Sequence, residues 1–162
     1  MASPATFRIV PFQPELAGAF DQLNRAWLVA GNFLEPLDEL YLGDPDGQIM
    51  AKGGQIFFAL EGSEVLGTAA AIPQGQGAIE LAKLAVAPAA QGRGLGRSLT
   101  LTVIAFARAQ GADRVILTSN SRLRPALALY RSLGFVERPC PPGFGYETAD
   151  VYMELALVPA AG

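Results

Sequence analysis

Residues 80–99 read ELAKLAVAPAAQGRGLGRSL. Their first part, extended back to Ala78 as AIELAKLAV, is apolar and stops before Pro88, which predicts a strand over Ala78–Val86. Leu95, Leu99, Val103, Phe106 and Gln110 then recur at helical spacing, predicting a helix over Leu95–Gln110 that Gly111 ends. Between the two lie Gln91, Gly92, Arg93, Gly94, Leu95 and Gly96. A glycine loop opening a helix presents unpaired backbone N–H groups and a positive dipole end, so it favours an anion, phosphate above all. Glycines allow close backbone approach, and Arg93 and Arg97 add guanidinium groups suited to phosphate. The plain alternative is an ordinary glycine-rich turn. Two other phosphate loops fail on counting. A Walker loop needs glycine and lysine where Gln91 and Arg97 stand, and a dinucleotide GxGxxG needs glycine at Arg97 or Leu99.

Outward from this unit the chain supplies strands and helices in turn. Thr6–Phe12 mixes β-branched and aromatic residues and predicts a strand, followed by a helix over Pro14–Ala30. On that helix Leu16, Phe20, Leu23, Trp27 and Ala30 form one apolar stripe, which assigns Trp27 to the core. An acidic, Gly- and Pro-punctuated stretch from Gly31 to Lys52 holds one short helix near Pro36–Leu42. QIFFAL at Gln55–Leu60 and VLGTAAAI at Val65–Ile72 flank a four-residue loop and predict a hairpin. After the central unit come a strand at Arg114–Thr118, a helix at Pro125–Leu133, and closing strands at Phe135–Arg138 and Val151–Leu157. Early antiparallel pairing followed by strand–helix alternation predicts a single α/β domain over residues 1–162. Its mixed sheet is centrally parallel, otherwise antiparallel, and flanked by helices on both faces.

Composition removes much chemistry. The chain has one cysteine, Cys140, and no histidine, which excludes an internal disulfide, a Cys/His zinc cluster and any Ser-His-Asp or Cys-His unit. No DxDxDG calcium spacing occurs among the acids, so no metal is expected. With neither a basic–apolar leader nor a long apolar run, a cytoplasmic setting away from membranes is the expectation. The net charge of −3 argues against nucleic acid. That charge is segregated: residues 1–82 carry three bases against ten acids, and residues 83–138 carry nine bases against two acids. A basic second half suits a phosphate-bearing ligand, and an acidic first half suits a cationic one. Glu35, Asp38, Glu39, Asp44 and Asp46 read either as a solvated acidic loop or, for some of them together with Tyr41, as the side that meets a cationic amine.

The QxxGxG loop between strand and helix resembles the pyrophosphate-binding loop of the GCN5-related N-acetyltransferase (GNAT) family. ALALYRSLGF at residues 126–135 resembles that family's later helix and strand. The likeness covers residues 54–138 and implies an acyl-CoA N-acyltransferase-like fold. It implies acetyl transfer from acetyl-CoA to a primary amine by direct attack in a ternary complex, and dimers are common in the family. The resemblance places coenzyme A on Gln91, Gly92, Arg93, Gly94, Leu95, Gly96 and Arg97, and its pantetheine arm along the backbone of Leu84, Ala85 and Val86. Asn120 is carried over as a cofactor contact, although it precedes Tyr130 by ten residues where the family has about seven.

Two side chains are candidates for proton transfer. Glu80 matches the position of a family glutamate base, and strict alternation sets it on the face of Ala82, Leu84 and Val86, where burial would raise its pKa. Tyr130 in ALALYRSLGF matches the family's tyrosine acid, which protonates the departing sulfur. The bland alternatives are an ion-paired strand glutamate and a core aromatic. Cys140, in RPCPPGFG, reads as a partly buried structural thiol. A non-catalytic acyl-CoA-binding sensor module is the rival function, and the acceptor amine is left open.

Overall fold

The computed structural model describes residues 6–144 and 146–157; the expected domain's ends at residues 1–5 and 158–162, and Gly145, lie outside the described residues. Seven strands form one sheet: β1 (Arg8–Pro11), β2 (Gln55–Glu61), β3 (Glu64–Gly75), β4 (Ala78–Val86), β5 (Arg114–Ser119), β6 (Val136–Arg138) and β7 (Val151–Ala156). Among the described residues five α-helices accompany them: α1 (Ala17–Ala30), α2 (Pro36–Gly43), α3 (Pro45–Gln48), α4 (Leu95–Ala109) and α5 (Arg124–Ser132). The spatial order is β1-β2-β3-β4-β5-β7-β6. None of the helices is long and apolar enough to cross a membrane among the described residues.

Parallel pairing is confined to β4 and β5, joined by the α4 crossover. The expected alternation does give β6 the same direction as β5. However, β7 inserts antiparallel between them. The second half of the sheet is therefore less parallel than strand–helix alternation alone implies.

Apolar clusters cover both faces of the sheet. On one face Leu95, Leu99, Val103 and Ala107 of α4, with Leu127 of α5, pack on Ala69, Ala71, Ile79 and Leu81. On the other, Phe20 and Leu28 of α1 and Leu42 of α2 pack on Ile56, Phe58, Ala70 and Ile72. Along α1 the buried positions are Phe20, Asn24 and Leu28, one step round from the expected stripe. Asn24 is tolerated there because its Nδ2 donates to the Phe20 carbonyl at 3.0 Å. Trp27, expected in the core, is only part-buried and faces a cleft.

That cleft follows from the pairing. β4 and β5 are in register only at Ala78–Arg114, Ile79–Val115 and Glu80–Ile116. Beyond Glu80, β4 pairs with β3 alone and β5 with β7 alone. Ala70 faces Ala82 while Thr68 faces Ala85, so β4 carries one extra residue, and Lys83 there has φ +55°. A bulge of this kind bends its strand and increases its twist, which drives the two strands apart.

Candidate active site

The splayed strands open a cleft of about 690 Å³. At one end the glycine loop meets the start of α4. Gly92 and Gly94 have φ of +83° and +80°, and nothing lies within 4 Å of where a Cβ would stand, so backbone conformation rather than crowding requires glycine. The first turn of α4 contributes N–H groups that lack intrahelical acceptors. Between the loop and Glu80, residues 81–86 of β4 leave one backbone edge without a strand partner on the side of the cleft, with Gln91 Nε2 donating to the Val86 carbonyl at 3.5 Å. Such an edge in mid-sheet needs hydrogen-bond partners. An extended chain of amides ending in a pyrophosphate meets both requirements, so these residues fit coenzyme A.

Leu84, Ala85, Val86, Gln91, Gly92, Gly94, Leu95, Gly96, Arg97 and Asn120 all line the cleft. Arg93 does not; its guanidinium pairs with Glu61 of β2 at 2.7 Å. The Asn120 carboxamide is engaged at both ends, donating to the Thr148 carbonyl at 2.6 Å and accepting from Arg122 N–H at 2.8 Å. It thereby ties the end of β5 to the 146–150 segment.

Glu80 and Tyr130 both line the same cleft. Glu80 is 5% exposed and accepts a hydrogen bond from Gln74 Nε2 at 2.6 Å. Burial pushes its carboxyl up to about 7, with Gln74 and Lys83 pulling in the opposite direction. The expectation that it shares a face with Leu84 and Val86 is overturned by the bulge. Ala82 belongs to the α1 side of the sheet, whereas Leu81, Leu84 and Val86 pack on the α4 side. Tyr130 is buried and edge-on to Phe135 at 5.8 Å, and burial raises its phenol well above the ordinary value. It therefore stays protonated at neutral pH, and its hydroxyl has no hydrogen bond to any other described residue.

Beside Glu80 a buried polar cluster joins Asp38, which the sequence singled out, to Lys83 and Tyr146, which it did not. The extra residue of the bulge sends the Lys83 ammonium to the Asp38 carboxylate and, at 2.8 Å, to the Tyr146 hydroxyl. Lys83 and Asp38 are both buried. Burial raises the Tyr146 phenol, with the charges of Glu80, Asp38 and Glu35 adding to it, and burial and Glu80 do the same to Tyr41. Glu35 accepts from Glu147 N–H at 2.8 Å, Thr148 N–H at 2.9 Å and the Thr148 hydroxyl at 2.5 Å. Burial acts to raise the Glu35 carboxyl, yet these bonds together hold it below its usual range. The sequence signal for Lys83 was a lysine three residues after Glu80 in a strand whose other residues are apolar.

The acidic stretch thus differs from the expected open, cation-collecting surface. Asp38 is neutralised by Lys83, Glu35 clasps the 147–148 backbone, Glu39 pairs with Arg25 at 2.7 Å, and Asp44 accepts from Gly47 N–H at 3.0 Å. Cys140, expected to be partly buried, is exposed and does not line the cleft.

A mixed sheet that splays at a bulge, with a glycine loop and helix start at one end of the opening, defines a class, and comparison with known proteins agrees. Residues 19–135 match the acetyltransferase (GNAT) family, and the chain belongs to it. Mycothiol acetyltransferase from Renibacterium salmoninarum is 38% identical over 148 residues, 90% of this chain and 38% of that protein. N-acetyltransferase 8 from Mus musculus is 35% identical over 92 residues, 54% of this chain and 40% of that protein. The chain therefore spans less than half the length of these two curated relatives. A GNAT-family acetyltransferase from Staphylococcus aureus shares the fold, with TM-score 0.86 and 18% identity over 94% of this chain and all of that one. So does a Salmonella typhimurium protein solved with its cofactor acetyl-CoA, with TM-score 0.76 and 24% identity over 97% of each chain.

Proposed function

We propose that this chain is an acetyl-CoA-dependent N-acetyltransferase, a single unit that passes an acetyl group to a primary amine by direct attack in a ternary complex. One observation carries the reading. The edge of β4 without a strand partner runs from an anion-favouring loop at one end to a buried carboxyl with a pKa of about 7 at the other. Bound there, the cofactor would supply an acetyl thioester.

The residues of this chain then divide the work. The first turn of α4, with Gln91, Gly92, Gly94 and Arg97, holds phosphates, and the backbone of Leu84–Val86 holds the pantetheine amides. An amine attacks only when neutral, and Glu80 takes its proton; a base that titrates near pH 7 combines availability with strength. A backbone N–H of Leu84–Val86 next to the bulge offers the donor for negative charge developing on the carbonyl oxygen. As the N–C bond forms and the C–S bond breaks, Tyr130 gives its proton to the sulfur, and the second proton that the nitrogen sheds on becoming an amide restores Tyr130.

Calorimetric titration with acetyl-CoA, run beside ADP and NADH, tests the cofactor assignment. Selective binding of acetyl-CoA is expected. Tight binding of ADP or NADH with no response to acetyl-CoA would remove the reading and its site residues together. Acetyl-CoA binding without thiol release for any amine would leave the sensor module.

A further inference from the structure

The charged side chains that line the cleft, among the described residues, are Asp38, Glu80, Lys83 and Arg97. Arg97 lies in the first turn of α4, at the loop end. Two carboxylates and one ammonium remain at the other end, and that ammonium is already engaged by Asp38 and the Tyr146 hydroxyl. Glu80 accepts from Gln74 through Oε1, and its Oε2 takes no hydrogen bond among the described residues. The acceptor end therefore offers one uncommitted carboxylate oxygen and no uncommitted cation.

Part of its wall is apolar, on the α1 side of the sheet that Glu80 shares with Ala82, while Thr118, Ser119, Asn120, Tyr146 and Thr148 also line the cleft. Trp27, Leu28, Phe33 and Leu123 belong to one apolar cluster and all line the cleft. The Trp27 and Phe33 rings lie 5.9 Å apart, and the Trp27 indole N–H donates inward to Asn24 at 3.4 Å, leaving ring surface as what the residue offers a ligand. Arg122 is exposed, stacks on Phe33 at 4.4 Å and donates to the Gly31 carbonyl at 3.3 Å, but it does not line the cleft.

Resting on the acetyltransferase reading, we propose that the acceptor is a primary monoamine on an apolar or aromatic body, with no carboxylate or phosphate beside the nitrogen. The amine meets Glu80, and the body lies against Trp27, Leu28, Phe33 and Leu123. An α-amino acid would bring its carboxylate next to Glu80 with no cation to pair with. The second ammonium of a polyamine, or the hydroxyls of an aminoglycoside, would lie against Trp27, Leu28, Phe33 and Leu123, which offer them no partners. The transfer needs no further reactant, because of the two protons the nitrogen sheds one goes to Glu80 and the other replaces the one that Tyr130 gives to the sulfur.

The test is kcat/KM on the wild-type protein, from thiol release with acetyl-CoA, for 2-phenylethylamine, phenylalaninamide, phenylalanine, spermidine and kanamycin. The account expects 2-phenylethylamine to lead phenylalanine by at least about 30-fold, the scale of leaving a buried charged group unpaired. Phenylalaninamide should fall between them. Leu123→Arg should narrow the gap by supplying a cation, and Phe33→Ala should raise KM for 2-phenylethylamine while leaving the Kd of acetyl-CoA unchanged. The wild-type ranking decides even if a variant fails to fold. Phenylalanine, spermidine or kanamycin equalling 2-phenylethylamine would overturn this inference while sparing the enzyme reading. Thiol release with none of the five, though acetyl-CoA binds, would count against the enzyme reading and take this inference with it.

Discussion

The two ends of the cleft are built on different principles. The loop end is contiguous in sequence, Gln91 to Arg97, and works through backbone N–H groups that glycine frees at Gly92 and Gly94. The opposite end is assembled from side chains far apart in the chain: Asp38 on α2, Gln74 on β3, Glu80 and Lys83 on β4, and Tyr146 after β6. A backbone site tolerates substitution wherever φ allows it. A buried side-chain cluster is coupled, so removing one member leaves another unpaired. Changes at the loop end should therefore act on cofactor affinity alone, and changes at the other end should act on turnover, pH dependence and stability together.

The largest expected effect is at Glu80. Glu80→Gln should lower kcat by about 10²- to 10⁴-fold with acetyl-CoA affinity retained, the range for loss of a general base. In the wild type, activity should climb as Glu80 ionises through pH about 7 and level off above, and the variant should lack that limb. Because folding raises this pKa, the folded state favours the protonated carboxyl, an advantage present below about pH 4.5 and lost as pH rises through about 7. Chemical denaturation at pH 8 should therefore find Glu80→Gln more stable than wild type, by up to about 3 kcal/mol, with the difference gone at low pH.

Next comes Lys83→Met, which strands the buried Asp38 carboxylate and should cost about 3–5 kcal/mol of stability. It also removes an attraction that lowers the Glu80 pKa, so the activity limb should move to higher pH. Adding Asp38→Asn should recover part of the stability, and simple additivity in the double variant would break the picture of a coupled cluster. Tyr130→Phe should reduce kcat by about 10²-fold with unchanged acetyl-CoA Kd, the low end for a lost general acid; an unchanged kcat across the pH profile would remove Tyr130 from the mechanism. At the loop end, Gly94→Ala must adopt φ +80° and should weaken acetyl-CoA by about tenfold, from a strain of about 1–2 kcal/mol, with kcat at saturation unaffected. Smallest is Glu61→Gln, which loosens Arg93 across a part-exposed pair; affinity should change by less than about fivefold.

The same contrast explains what the sequence could tell. Strand, glycine loop and helix over residues 78–110 were legible because each signal is local: periodicity, Pro88, the glycines and Gly111. The pairing of β7 between β5 and β6 was not, because strand order is a property of the closed sheet rather than of any one segment. Glu80 and Tyr130 could be placed as candidates, but not the face Glu80 occupies. The bulge at Lys83 exists only as a mismatch in length between β4 and β3, and it reverses every side chain beyond it. Lys83 and Tyr146 were missed, and Asp38 was read without its partner, for the same reason, since only the bulge turns Lys83 toward α2. Trp27 sat on a valid apolar stripe, and the opening between β4 and β5 made that face a wall instead of core.

The most direct test is the release of coenzyme A thiol from acetyl-CoA by the wild-type protein at pH 8, with and without 2-phenylethylamine. Release should depend on the amine and equal the N-acetyl product mole for mole. Saturable acetyl-CoA binding with thiol release no faster in the presence of the amine would contradict it.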